Sequence, residues 1–146
     1  MEKFSNFLAV YPHLLERLKK VEGVKTVKEM GELAELIKRK SAPLDGTVYV
    51  AFGGNTPTEE AKNGKYQTEK LYFTFVYCAT YLPNGASKLH QIGKVLTAIQ
   101  ATFQGWQPDA HLTDSAFRRE KSPSIEYHDG FAFYPITFSV DVSIVI

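Results

Sequence analysis

Hydrophobic positions near the start of the chain follow the spacing of an amphipathic helix. Apolar residues recur every three or four positions, with charged residues between them, at Phe4, Phe7, Leu8, Tyr11, Leu14, Leu15, Leu18 and Val21. Pro12 lacks an N–H and crowds the turn before it, so we expect the helix either to kink there or to begin near Tyr11. Gly23 ends the segment. A second, shorter helix is predicted where the same spacing returns at Met30, Leu33, Leu36 and Ile37.

Strand patterns appear in the next part of the chain. Residues 24–27 alternate briefly and predict a short strand, and residues 47–52 predict a longer one that ends at Gly53 and Gly54. Residues 55–65 are polar and poor in apolar side chains, which indicates a mobile loop. Residues 66–82 are the stretch most typical of a strand, and apolar residues on both of its faces predict that both are at least partly covered.

The longest predicted helix follows a turn at residues 83–85. Its apolar stripe is Leu89, Ile92, Leu96, Ile99, Phe103 and Trp106. Asn84 or Ser87 is expected to cap its first turn, and Gly105 lies where a left-handed residue would end it. Two short strands are predicted at residues 116–119 and 124–127. The chain then ends in strict alternation, with apolar residues at Ile136, Phe138, Val140, Val142, Ile144 and Ile146.

This order of elements predicts one α+β domain over residues 1–146. No internal repeat or linker divides the chain. Strands lie on both sides of one long helix and are joined by hairpin-like connections. The pattern therefore predicts a mostly antiparallel sheet packed against helices on one face.

Composition excludes several classes of protein. Seventeen basic and sixteen acidic residues leave a formal net charge of +1, so no strong field attracts nucleic acid or an acidic membrane. Cys78 is the only cysteine, which excludes an internal disulfide and a zinc-finger type site. No apolar stretch approaches the ~20 residues of a membrane span, and the apolar run at residues 7–11 is too short for the core of a secretory signal. We therefore expect a cytosolic protein that is not attached to a membrane.

Candidate catalytic chemistry is sparse. The nearest pair of histidines, His111 and His128, lies 17 positions apart, too far for two metal ligands on one helical turn. A small metal-dependent hydrolase would need His111, Asp114, His128 and Asp129 to converge in space. Cys78 lies in an apolar strand and is expected to be a buried, protonated thiol. The sequence therefore predicts no catalytic, cofactor-binding or metal-binding residue. The alternative is a small metal-dependent hydrolase that uses the region of His111 and His128.

Aromatic and basic residues suggest a surface for protein partners instead. The tyrosines between residues 66 and 81 exceed what one core is expected to bury, which favours protein partners over small ligands. Arg118 and Arg119 form a basic pair near Phe117. The candidate subunit-interface residues are Tyr66, Tyr72, Val76, Arg118 and Arg119. A stand-alone ligand-binding α+β module is a further alternative, and it requires a sizeable closed apolar pocket.

A set of short motifs resembles a known family. Gly105-Trp106-Gln107-Pro108 closes the long helix, Tyr127-His128-Asp129-Gly130 follows, and Tyr134-Pro135-Ile136-Thr137-Phe138 opens the last strand. Together with the order of elements, these motifs are similar to the tail terminator-like proteins of tailed phages, including minor tail proteins of Mu-like prophages. The residues that carry this structural motif are Gly105, Trp106, Pro108, Tyr134 and Pro135.

The resemblance implies an assembly role without catalysis or a cofactor. Tail terminators form a ring, commonly hexameric, on the finished tail tube, where they stop polymerisation and provide the surface on which the head connector docks. The implied partners are further copies of this chain, the tail tube protein and a head-completion or connector protein, with DNA only passing through the ring. The implied location is the host cytoplasm during assembly and then the tail of the virion.

Overall fold

The computed structural model describes residues 2–39, 42–80 and 88–146. Its helices are α1 (Glu2–Ser5), α2 (Tyr11–Lys19), α3 (Met30–Lys38) and α4 (Leu89–Phe103). Its strands are β1 (Thr26–Glu29), β2 (Thr47–Ala61), β3 (Tyr66–Thr80), β4 (Arg118–Glu120), β5 (Glu126–His128) and β6 (Phe131–Val145). The predicted turn at residues 83–85 and the predicted caps Asn84 and Ser87 lie outside the described residues.

The strands of the described residues form one mixed, mostly antiparallel sheet. Its order is β1-β2-β3-β6-β4, with β5 also paired to β6. Only the β1–β2 pair is parallel. The two 15-residue strands β3 and β6 pair along their whole length, from Tyr66 opposite Val145 to Thr80 opposite Phe131. The predicted α+β class and the mostly antiparallel sheet are confirmed.

Pro12 sets the start of the second helix. The helical spacing at the N-terminus divides into the short α1 and the longer α2, and Pro12 lies in the first turn of α2. An N–H is not needed there, because the first helical N–H groups have no partner within a helix. Of the two outcomes that the sequence left open, the structure has the one in which the helix begins at Tyr11.

The main core lies between the sheet and helices α2 and α4. Its fully buried aromatic residues are Phe73, Phe75, Phe103, Phe117 and Phe138. The rings of Phe75 and Phe103 have centroids 4.7 Å apart, which joins the long helix to the central strand. Leu14 and Leu18 of α2 pack into the same cluster. Burial of these side chains, at about 1.5–3 kcal/mol each, is the main force that holds the helices on the sheet.

Helix α3 lies on the opposite face of the sheet. Leu33 of α3 packs against Tyr49, Val76 and Cys78, whose side chains point away from the main core. The expectation of helices on one face therefore holds for α2 and α4 but not for α3. The physical reason is the parallel β1–β2 pair, because parallel neighbours need a crossover and α3 provides it.

The polar residues after Gly54 belong to a long hairpin, so the prediction of a mobile loop was wrong. Strand β2 continues to Ala61 and pairs with β3 as far as Tyr66, with irregularities after Phe52 and Pro57. Residues 62–65 form the turn, where Lys62 and Asn63 take positive φ values of 55° and 58°. Pairing with β3 supplies the strand conformation that the side chains of residues 55–61, almost all exposed, do not indicate. We call residues 55–69 the hairpin arm.

Candidate assembly surfaces

The sheet face opposite α2 and α4, which we call the open face, divides into an apolar half and a polar half. In the apolar half, α3 and the segment around β5 flank a groove of about 770 Å³. Val76, Phe133 and Pro135 contribute to its floor. On its sides, the side chains of Ile37 and Tyr127 remain 46% and 60% exposed. Large apolar side chains left this exposed around a concave surface are typical of a protein-binding site.

The polar half of the open face carries a ladder of paired charges. Lys70 Nζ lies 2.9 Å from Glu120 Oε1, and Ser139 Oγ donates a hydrogen bond of 2.8 Å to the same oxygen. The hydrogen bond from Lys70 contributes most to holding the pKa of Glu120 below its ordinary value, and the hydrogen bond from Ser139 contributes next. Arg118 donates two hydrogen bonds to Asp141, at 2.9 and 3.2 Å. Such exposed pairs contribute little stability but give a surface a defined charge pattern.

The predicted interface residues lie in different environments. Tyr72 is half-buried in the polar half, with Lys70 Nζ 5.6 Å from its ring centre, and Arg118 is exposed beside it. Val76 is buried in the groove floor. Arg119 is committed to internal contacts, since it donates hydrogen bonds to the carbonyl oxygens of Glu120 and Thr137.

Tyr66, the remaining predicted interface residue, lies at the base of the hairpin-arm turn. It pairs with Val145 in the β3–β6 register. Its hydroxyl donates a hydrogen bond of 2.9 Å to Ser143 Oγ, and its ring meets that of Phe4 edge to face. The side chain is half-buried, so part of it is free to contact another molecule.

A partly buried ion pair ties the N-terminus to this end of the sheet. The Lys3 ammonium is almost fully buried and bonds to the Asp114 carboxylate and to the carbonyl oxygen of Ala110. Ser143 Oγ donates to the other carboxylate oxygen of Asp114. The contacts of Lys3, Asp114, Ser143 and Tyr66 therefore form one chain from α1 to the start of β3, beside the turn of the hairpin arm.

The motif residues around Gly105 have structural roles. Gly105 has a φ of +80°, as predicted for a residue that ends α4, and its N–H donates to the carbonyl of Phe117. Trp106 packs with its ring centre 5.0 Å from that of Phe117, under the Arg17 guanidinium at 4.7 Å. Pro108 follows in the connection to Leu112. Trp106 thus anchors the end of the helix to the core.

The other motif residues lie on the last strand. Tyr134 is buried in the main core, whereas Pro135 points to the opposite side and contributes to the groove. A two-residue turn at Asp129 and Gly130, both with positive φ, joins β5 to β6. Asp-Gly is a favoured pair for such a turn because both positions need left-handed backbone.

The candidate metal cluster does not form. The backbone N–H of Asp114 bonds to the carbonyl of Asp141, whereas His128 pairs with Phe131 at the other end of β6. Ten residues of strand separate the two positions, or about 33 Å. Among the described residues, no three His, Cys, Asp or Glu side chains lie close enough to hold a metal ion together.

Cys78 has a structural role. It is fully buried under α3, and this burial raises the pKa of its thiol to about 12. Gly53 and Gly54, where the sequence predicted that the strand ends, lie at an irregularity in the pairing of β2, and the strand continues beyond them. No helix in the described ranges has the length and apolar character needed to span a bilayer.

Comparison with known proteins identifies the family of the chain. A family model described as phage tail terminator protein matches residues 4–146. The chain belongs to the phage tail terminator family. It is a structural protein of the phage tail, as the motifs of the sequence suggested. A comparison with curated proteins finds no match.

Two residues that border the groove of this tail terminator family member, Ile37 and Tyr127, are not among the interface residues that the sequence indicated. Ile37 follows the helical spacing of α3 and was assigned to its apolar stripe, yet it is half exposed at the groove. Tyr127 was assigned only to a short strand. Their positions could have indicated this exposure. Both are large apolar residues on short elements, α3 and β5, which one small core cannot cover completely.

Proposed function

We propose that this tail protein is the terminator of the tail tube, which it caps as a closed ring of identical subunits. The ring stops tube polymerisation and provides the surface on which the head connector docks. The observation that carries this proposal is the match to the tail terminator family over residues 4–146. The open face supports it, since it presents an apolar groove and a charged ladder.

A closed ring requires an interface between two different surfaces of the subunit. Head-to-tail contacts of this kind generate a ring when the rotation between subunits closes, and a filament when it does not. We assign the open face to one side of this interface. Tyr72, Val76 and Arg118, which the sequence suggested as interface residues, lie on this face, and Tyr66 lies near the end of the hairpin arm.

The free edge of β2 favours a closed assembly over edge-to-edge growth. Strand β1 pairs with residues 47–50 of β2, and beyond Val50 no strand of the described residues pairs with the outer edge of β2. Pro57, two pairing irregularities and the exposed Glu59 and Glu60 protect that edge, as natural edge strands are protected against indefinite pairing. A protein that ends a polymer needs such protection.

The charge of the chain is compatible with passage of DNA through the ring without tight binding. A net charge of +1 gives little general attraction to phosphates. We therefore assign DNA no binding site and expect it only to move through the central opening. A hydrolase is not favoured, because His111 and His128 lie at opposite ends of β6, and the groove is open rather than closed around a ligand.

Tube assembly in solution tests the proposal. Purified tail tube protein from the same phage is allowed to polymerise with and without this chain, and tube lengths and ends are measured by electron microscopy. We expect shorter tubes with ring-shaped density at one end. Arg118→Glu reverses one charge on the open face, and we expect it to weaken capping without unfolding the protein. Tubes of unchanged length with bare ends would contradict the proposal.

A further inference from the structure

We propose that the end of β6 in one subunit inserts into the groove of the next and forms the head-to-tail contact of the ring. This inference rests on the proposed function and specifies its interface. The inserting surface, which we call the donor end, consists of Val145 and Ile146 together with Lys65. The receiving surface is the groove between α3 and β5, bordered by Ile37 and Tyr127.

The donor end contains Ile146, the most exposed large apolar residue among those described. Val145 is 50% exposed and Ile146 is 81% exposed. Neither residue is loose, because Val145 pairs with Tyr66 and the Ile146 N–H donates a hydrogen bond of 2.8 Å to the carbonyl of Lys65. A rigid apolar segment loses little conformational entropy on binding, which favours it as an anchor.

The groove has the size and lining that such an anchor needs. Its volume of about 770 Å³ accommodates several large side chains. Val76, Phe133 and Pro135 supply an apolar floor, and the exposed surfaces of Ile37 and Tyr127 would become buried on insertion. Removal of apolar surface from water contributes roughly 25 cal/mol per Å² to association.

The positions of the two surfaces require that they meet between subunits. Phe133, near the start of β6, lines the groove, and Val145 is at the end of the same strand. Twelve residue steps of extended chain separate Phe133 from Val145, about 40 Å. A subunit therefore cannot fill its own groove. Contact between two different ends of identical subunits is the geometry of a head-to-tail ring.

Charge favours the same pairing. Lys65 is exposed beside Ile146, and Glu126 lines the groove. Asp129 lines an adjoining pocket that shares Ile37 and Phe133 with the groove. Insertion would thus bring a lysine towards two carboxylates at the edge of the apolar contact, where charge directs orientation more than it adds affinity.

Two complementary variants test this interface. Ile146→Asp disables the donor end and leaves the groove intact, whereas Ile37→Asp disables the groove and leaves the donor end intact. Each protein is measured by light scattering at concentrations where the wild type is a ring. We expect each variant alone to be a monomer. Mixed in equal amounts, they should form a one-to-one dimer, because one intact donor end meets one intact groove.

Controls separate this inference from the proposed function. Leu89→Asp introduces the same charge at another residue with 61% exposure, and we expect its ring to persist. Circular dichroism of all three variants checks that they are folded. Folded variants that both keep the ring, or a mixture that stays monomeric, would overturn the inference while the wild-type ring still supports the proposed function. A wild type without a ring would contradict the proposed function itself.

Discussion

Gly23 approaches Val95 so closely that a β-carbon added to Gly23 would lie 2.5 Å from Val95 Cγ2. Gly23 also has a φ of +92°, which other residues rarely adopt. We therefore expect Gly23→Ala to lower the free energy of unfolding by roughly 2–4 kcal/mol, from backbone strain and overpacking together. Urea unfolding measures the change.

Two further variants separate the causes of that loss. Gly31→Ala replaces a glycine of α3 with nothing within 4 Å of the new carbon, and we expect a change of less than about 1 kcal/mol, in the stabilising direction. The double variant Gly23→Ala/Val95→Ala should lose less than the sum of its single variants, since removal of the Val95 methyl groups relieves the contact. Strict additivity would show that the close approach has no energetic consequence.

The ion pair of Lys3 and Asp114 should be asymmetric in its contribution to stability. Asp114→Ala leaves a buried ammonium without its carboxylate, and we expect a loss of about 1–3 kcal/mol, moderated because the Asp114 side chain is 27% exposed. Lys3→Met keeps the apolar stem and should cost less. Glu16→Ala, which removes an exposed pair with Lys19, is the control and should change stability by less than about 1 kcal/mol. An equal loss for Lys3→Met and Asp114→Ala would contradict this account.

The Cys78 thiol should be unreactive in the folded protein. Burial raises its pKa to about 12 from an ordinary value of 9.0, so almost no thiolate is present at pH 8. We expect a thiol reagent at pH 8 to label the native chain much more slowly than the chain in urea. Labelling of the native protein at the rate of a free thiol would place Cys78 outside the core.

The same raised pKa gives a pH dependence with a defined sign. The unfolded chain releases the thiol proton near pH 9 and the folded chain only near pH 12, so the folded state binds more protons between these values. Stability should therefore be unaffected by this group below pH 9 and fall as the pH rises above it. Cys78→Ala should remove part of the fall, while the buried Tyr49 and Tyr77, whose pKa values burial also raises, retain the rest.

Substitution in the ladder of paired charges on the open face should affect assembly rather than folding. Arg118→Ala removes an exposed partner of Asp141, so we expect a change in the free energy of unfolding below about 1 kcal/mol. If the open face is a subunit interface, Arg118→Ala should still lower the fraction of assembled protein. Arg119→Ala is the contrasting variant. Its side chain binds carbonyl oxygens within the subunit, so it should reduce stability more and assembly only as a consequence.

The pattern of apolar and polar side chains predicted those helices and strands that have one buried face and one exposed face. The alternation from Ile136 onward placed the last strand correctly, and the stripe that ends at Phe103 placed α4, because one side of each is buried in the main core. Leu89, the first member of that predicted stripe, is instead 61% exposed at the start of the helix. The hairpin arm escaped prediction because residues 55–61 have almost no buried face. Their strand conformation comes from hydrogen bonds to β3, which leave no pattern in the side chains.

The candidate surfaces were harder to predict because they depend on long-range placement. The sequence alone could not show that His111 and His128 lie far apart, because the distance between them is set by the pairing of their neighbours along β6. Ile37 follows the same spacing as the buried Leu33, and only the position of α3 on the open face leaves it exposed. The family motifs, in contrast, lie in local turns and caps such as that of Gly105, which short stretches of sequence determine.

The mass of the wild-type protein in solution, measured by light scattering up to high concentration together with its binding to tail tube ends, tests the central claim most directly. The account predicts one closed oligomer whose mass stops increasing with concentration and which binds the tube at one end. A monomer at every concentration that also fails to bind tube ends would contradict it.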